Sequence, residues 1–200
     1  MIQTNLRADL EISNLLMMYV GNLESYQGID LLIDSFALTL KKTDRVDLVI
    51  IGGETSDIEK YQKKAQGLDI QDKVHFLGPK PVEHLAIYLA QADILVSPRT
   101  KGKNTPMKLY SYLDSGKTLL ATDLQTHTQV LNSEIAELAK PNAEDFSEGM
   151  LRLIEDQDLR LRLGSAGKSL IEQKHTFTVF RQKLNGLYDS LQMELLPETA

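Results

Sequence analysis

Ile94-Leu95-Val96-Ser97-Pro98-Arg99-Thr100-Lys101-Gly102-Lys103-Asn104-Thr105-Pro106-Met107-Lys108-Leu109-Tyr110-Ser111-Tyr112-Leu113 is the stretch on which the fold turns. Its aliphatic start reads as a buried strand, and Leu109, Tyr112 and Leu113 recur at helical spacing, so a strand feeds a basic loop that opens a helix. Asn104 or Thr105 is the expected N-cap. Pro106 is expected in the first turn, where its missing N–H has no intrahelical partner to lose. The amides near Met107 and Lys108 then face the loop with the positive end of the helix dipole behind them, and Arg99, Lys101, Lys103 and Lys108 surround that spot. Taken alone, a solvated linker explains the same residues. Position separates the two readings, because an open parallel sheet binds ligands beyond the carboxyl ends of its strands.

Working outward, Leu15–Val20, Val46–Ile51, residues 74–77, Thr118–Thr122 and the weaker 135–139 read as further strands. Helices are predicted between them: Ile29–Leu40, whose apolar face is Ile29, Leu32, Ile33, Phe36 and Leu40, then 57–65, 82–90 and 126–131. From Ala143 onward the pattern is helical throughout, ending in Phe177, Phe180, Leu184, Leu187 and Leu191, and these C-terminal helices are expected to pack on the sheet. Strands alternating with helices force parallel pairing and right-handed crossovers. The expectation is an α/β, doubly wound, Rossmann-like parallel sheet in the order 3-2-1-4-5-6. Its switch point lies between the first and fourth strands, so the loop 21–28, closed by Gly21 and Gly28, faces the loop after Val96. The expected domain limits are a lead-in at 1–14, the domain at 15–192 and a tail at 193–200.

Composition narrows the function classes. Two hundred residues with 42% hydrophobic and 25% charged content suffice for one domain with a real core. A net charge of -6 argues against nucleic acid as a partner, which makes the basic loop a local exception on an acidic chain. The absence of cysteine excludes disulfides and thiolate chemistry and fits a reducing compartment, so the default location is cytoplasmic. No apolar run approaches the ~20 residues of a membrane span, which leaves peripheral membrane contact at most. Residues 1–14 lack the pattern of a signal peptide. The loop 21–28 is not the dinucleotide glycine fingerprint and lacks the Gly-Lys-Ser/Thr ending of a phosphate loop, which weakens NAD binding and ATP hydrolysis as readings.

The ordered blocks Tyr19-Val20-Gly21-Asn22-Leu23, Gly28-Ile29-Asp30-Leu31-Leu32, Val49-Ile50-Ile51-Gly52-Gly53, Val74-His75-Phe76-Leu77-Gly78, Ala92-Asp93-Ile94-Leu95-Val96-Ser97-Pro98 and Pro106-Met107-Lys108 through Ser115-Gly116-Lys117 resemble the C-terminal domain of group 1 (family 4-like) glycosyltransferases. The resemblance covers 15–191. It implies one half of a GT-B architecture, in which two Rossmann-like domains face each other and the C-terminal one holds the nucleotide sugar donor. Sugar transfer with retention of anomeric configuration, without a bound metal or other cofactor, is implied as well. The acceptor-binding N-terminal domain would be the missing partner, and the isolated domain is not expected to be active. Residues implied at the donor are Gly21, Asn22, Gly78, Pro79, Arg99, Lys103, Asn104, Thr105, Lys108 and Ser111; no catalytic residue is assigned.

Four positions depart from the family pattern. Asn22 and Gln27 stand where an arginine and a lysine usually reach the diphosphate, and Lys103 and Ser111 stand where paired glutamates are expected. Arg99, Lys103 and Lys108 could restore the lost charge. The alternative is a non-catalytic, glycosyltransferase-like interaction domain with an eroded donor site. Among other candidates, His75 reads as packing and His84 as solvated. His127 borders the crevice, although packing is its simpler role. Tyr110 and Tyr112 also read as packing, and Gly78-Pro79-Lys80 is explained equally by a plain turn or by a nucleobase contact.

Overall fold

The computed structural model describes residues 5–195, so residues 1–4 of the expected lead-in and 196–200 of the expected tail lie outside the described residues. Six parallel strands, β1 (Leu15–Val20), β2 (Val46–Ile51), β3 (Val74–Gly78), β4 (Ile94–Ser97), β5 (Thr118–Thr122) and β6 (Glu137–Ala139), form one sheet in the order β3-β2-β1-β4-β5-β6. The helices are α1 (Leu6–Asp9), α2 (Ile29–Leu40), α3 (Thr55–Gly67), α4 (Leu85–Gln91), α5 (Lys108–Asp114), α6 (Gln125–Thr128), α7 (Ala143–Glu155), α8 (Gln157–Lys174) and α9 (Phe177–Leu195). The doubly wound topology is the expected one. Among the described residues, no helix is long and apolar enough to cross a membrane.

The central strands are apolar at nearly every position because helices cover both faces of a parallel sheet. Met17, Tyr19, Leu48, Ile50 and Val96 point to one face, into a core shared with α2 and α7. Leu16, Met18, Val49, Leu95 and Leu119 point to the other, against α4, α5 and α8. The segment before β1 joins this second core: Leu6 and Ile12 are buried, and Arg7 pairs with Asp93.

Three helices differ from expectation. The helix predicted over 82–90 is divided into a single 3₁₀ turn at Val82–His84, which follows the extended Pro81, and then α4. The helix after β4 begins at Lys108 rather than near Pro106. Met107 occupies the cap position without a side-chain hydrogen bond, so neither Asn104 nor Thr105 caps it. Both are engaged elsewhere: the Asn104 carbonyl accepts from Thr126 Oγ1 at 2.7 Å, and Thr105 Oγ1 donates to Gln129 Oε1 at 3.2 Å. Finally, α9 does not cover the sheet. None of its residues is buried, and Phe177, Phe180, Leu184, Leu187 and Leu191 form an exposed apolar stripe.

Candidate functional site

The site forms where β1 and β4 diverge. They share two register pairs, Met17 with Ile94 and Met18 with Leu95, whereas β1 and β2 share six. Beyond Met18 the backbone of Val20 has no strand on that side, and a buried peptide group without a partner is costly. Tyr112 of α5 fills the gap. The Val20 N–H donates to its hydroxyl at 2.8 Å, and the hydroxyl donates to the Val20 carbonyl at 3.3 Å. Tyr112 therefore packs as expected and also holds the mouth of the crevice in shape.

The loops after β1 and β4 meet across this opening. Gly28 has φ 78°, and a Cβ there would collide with the Pro98 carbonyl oxygen, so glycine alone lets the two backbones touch. The Thr100 N–H donates to the Tyr26 carbonyl at 3.0 Å. Arg99 lies over the Tyr26 ring, 5.1 Å from its centroid, while its Nε donates to the Lys101 carbonyl at 2.7 Å. This guanidinium braces its own loop.

Lys108, the first residue of α5, is the cation that crosses the crevice. Its half-buried ammonium sits 4.1 Å from the Tyr19 ring centroid and donates to Gln27 Oε1 at 3.4 Å. A Cβ on Gly21, at φ 150°, would stand 2.7 Å from its Nζ. The Tyr19 ring is fixed beneath it because the phenol donates to the Asn22 carbonyl at 2.6 Å. No carboxylate among the described residues pairs with Lys108. Burial, with the Arg99 charge adding to it, pulls the pKa of Lys108 down to about 7. Near neutral pH the group can lose its proton, and when it is charged an anion is the partner that would compensate it.

His127 forms the floor under the second loop. Its Nδ1 lies 2.9 Å from the Thr122 carbonyl, which can only accept, so Nδ1 carries the proton and Nε2 accepts from Ser97 Oγ at 2.9 Å. Thr122 Oγ1 in turn donates to the Arg99 carbonyl at 2.6 Å. Burial lowers the His127 pKa to about 4. The packing role is the correct one, for this imidazole is fully enclosed and neutral. His75, at the sheet edge, pairs with Asp47 at 3.1 Å, and partly buried His84 contacts the Tyr88 ring edge-on.

The other sequence-predicted residues divide into three groups. Gly21 and Asn22 share with Pro79 and Lys80 a cleft of about 450 Å³ beyond β1, β2 and β3, which Glu24, Glu54 and Asp57 also border. The Gly78 carbonyl accepts from the Gly52 N–H at 2.8 Å and fixes that cleft's edge. Lys103 is exposed, and its carbonyl ties the loop to the end of α6 by accepting from Gln129 Nε2. Ser111 opens toward a separate groove against α4, beside Leu85 and Leu89. Sequence reasoning missed the bond from Gln27 to Lys108 and the hydroxyl of Tyr112, because both join residues more than 80 positions apart. Among the described residues no cluster of His, Cys, Asp or Glu could hold a metal ion.

Comparison with known proteins agrees with this fold. The family described as "Glycosyl transferases group 1" matches residues 3–170. A phosphatidyl-myo-inositol mannosyltransferase of Mycobacterium tuberculosis is 22% identical over 84% of this chain and 45% of its own length. The crystal structure of Anabaena HepE in complex with UDP superposes with a TM-score of 0.82 at 18% identity, over 92% of this chain and 51% of that one. The C-terminal domain of a group 1 family glycosyl transferase, LpcC of Francisella tularensis, gives a TM-score of 0.75 at 19% identity, over 85% of this chain and 91% of that one. At such identities the structural likeness establishes the fold. The chain spans about half the length of the curated relatives it matches.

Proposed function

The chain belongs to the group 1 glycosyltransferases, and from that premise we propose that it is the donor-binding half of a retaining enzyme that moves a sugar from a nucleoside diphosphate to an acceptor. The observation that carries this reading is the Lys108 ammonium, unpaired with any carboxylate and pressed against Gly21 at the switch point. A diphosphate is the part of such a donor that needs a cation, and charge accumulates on it as the glycosidic bond breaks. Gly21 and Asn22 would approach it through backbone, while Pro79 and Gly78 would border the nucleoside.

The acceptor side would come from a second domain of the same polypeptide. Two observations support that partner: the relatives are about twice as long as this chain, and α9 carries an apolar stripe that no other described residue buries.

The test is calorimetric titration of UDP, GDP and their sugars into the chain. Binding of one nucleotide series is expected, and Lys108→Ala should weaken it by about 1.5–3 kcal/mol, the range for a hydrogen bond to a charged group. One observation favours the second reading, a non-catalytic interaction domain: Arg99 is committed to its own loop, which leaves a single ammonium where the family pattern has two cations. Failure of every nucleoside diphosphate to bind would overturn the first reading for this chain.

A further inference from the structure

Lys108 is held by a neutral group. Its ammonium has Gln27 Oε1 at 3.4 Å on one side and the Tyr19 ring at 4.1 Å on another, with Arg99 and His127 as the charged and titratable side chains near it. Gln27 is itself buried, in a 3₁₀ turn that ends at Gly28, whose left-handed backbone locks against Pro98. A side chain so confined has little freedom to move aside, so whatever stands at position 27 stays beside the ammonium.

From this juxtaposition we infer that Gln27 is a specificity-determining residue: it fills the place beside the Lys108 ammonium with an uncharged group and so leaves that charge for a phosphoanhydride ligand. A glutamate would fill the same place, since only the terminal amide changes. It would also neutralise the ammonium in place and fill the anion's seat with the protein's own carboxylate. This inference rests on the proposed donor site, and its consequences extend to the chain without ligand.

Those consequences have a defined sign. In the free protein Lys108 titrates near 7, while in the unfolded chain it titrates near 10.5, so the unfolded state binds more protons between those values. Stability contributed by this site therefore rises with pH across that window. An adjacent carboxylate raises the folded pKa and removes the rise. In the wild type, anion binding restores the proton to Lys108, so affinity falls as pH climbs above 7.

The experiment compares wild type, Gln27→Glu and Gln27→Met by calorimetry with inorganic pyrophosphate and with UDP and GDP at pH 6.5 and 8.5, and by urea denaturation from pH 7 to 10. Gln27→Glu should weaken anion binding more than tenfold and lose the rise in stability. Gln27→Met, which keeps the size without the charge, should lose less than half a decade of affinity and retain the rise. Equal losses in both variants would overturn the inference, as would Gln27→Glu binding within twofold of wild type. If the wild type binds none of the three anions, the donor reading fails. The inference fails with it, whereas anion binding by the wild type together with an unchanged rise in Gln27→Glu overturns the role of position 27 while leaving the donor reading intact.

Discussion

The two loops of the crevice are built on opposite principles. The loop after β1 carries no cation and gets its shape from Gly21 and Gly28, from the Tyr19 phenol under Asn22, and from the Tyr112 hydroxyl at Val20. The loop after β4 and the start of α5 hold four cations, yet Lys101 and Lys103 are exposed, Arg99 bonds its own backbone and meets the opposite loop through the Tyr26 ring, and Lys108 alone donates a hydrogen bond to that loop. One loop supplies form and the other supplies charge. Counting lysines and arginines in the sequence therefore overstates the cations that face the crevice, since Lys101 and Lys103 are turned to solvent.

The largest test of this division is on the shaping loop. Gly28→Val forces a β-branched residue into the left-handed region and drives its Cβ into the Pro98 carbonyl, so a loss of about 3 kcal/mol in urea denaturation is expected. A loss below about 1 kcal/mol would mean that the two loops are not locked together there. Next in size is the floor of the charged loop. His127 has a folded pKa of about 4 against 6.5 unfolded, so the unfolded chain binds more protons between those values and stability falls as pH drops through them. The full effect is about 3 kcal/mol from a shift of this size. His127→Asn should flatten stability between pH 4 and 6.5, whereas an unchanged slope would assign the acid sensitivity to other groups. The smallest effect is expected at Lys103. As an exposed side chain, Lys103→Ala should change stability by less than about 0.5 kcal/mol and nucleotide affinity by less than about twofold. A tenfold loss of affinity would show that the charged loop uses more than one lysine.

Much of the fold was legible because its strands are buried on both faces. Mostly apolar runs such as Leu15–Val20 and Val46–Ile51 fit a strand covered on both faces, and their alternation with helices left one economical topology. The switch point and the facing of loop 21–28 toward Pro98 followed from that order. Local signals failed where a distant partner outbid them. Thr105 has the chemistry of a cap, but its hydroxyl donates to Gln129 after α6, and the helix starts late. The stripe on α9 has the same spacing as the buried face of α7, since periodicity marks a helix face without identifying what covers it. Within the site, glycines and cations were readable as types. The pairing of Gln27 with Lys108 was not, because it depends on a three-dimensional closure over 81 residues.

The divergence of β1 from β4 also has a mechanical meaning. With two register pairs against four between β2 and β3 and four between β4 and β5, the most central seam of the sheet is also its shortest. The molecule is in this sense two three-stranded sheets tacked together along a brief join, with the crevice as the unsewn end of that join. A ligand bound beside Gly21 and Lys108 would act as a stitch across it, so its occupancy should be felt as stiffness of the whole sheet as well as retention of the ligand.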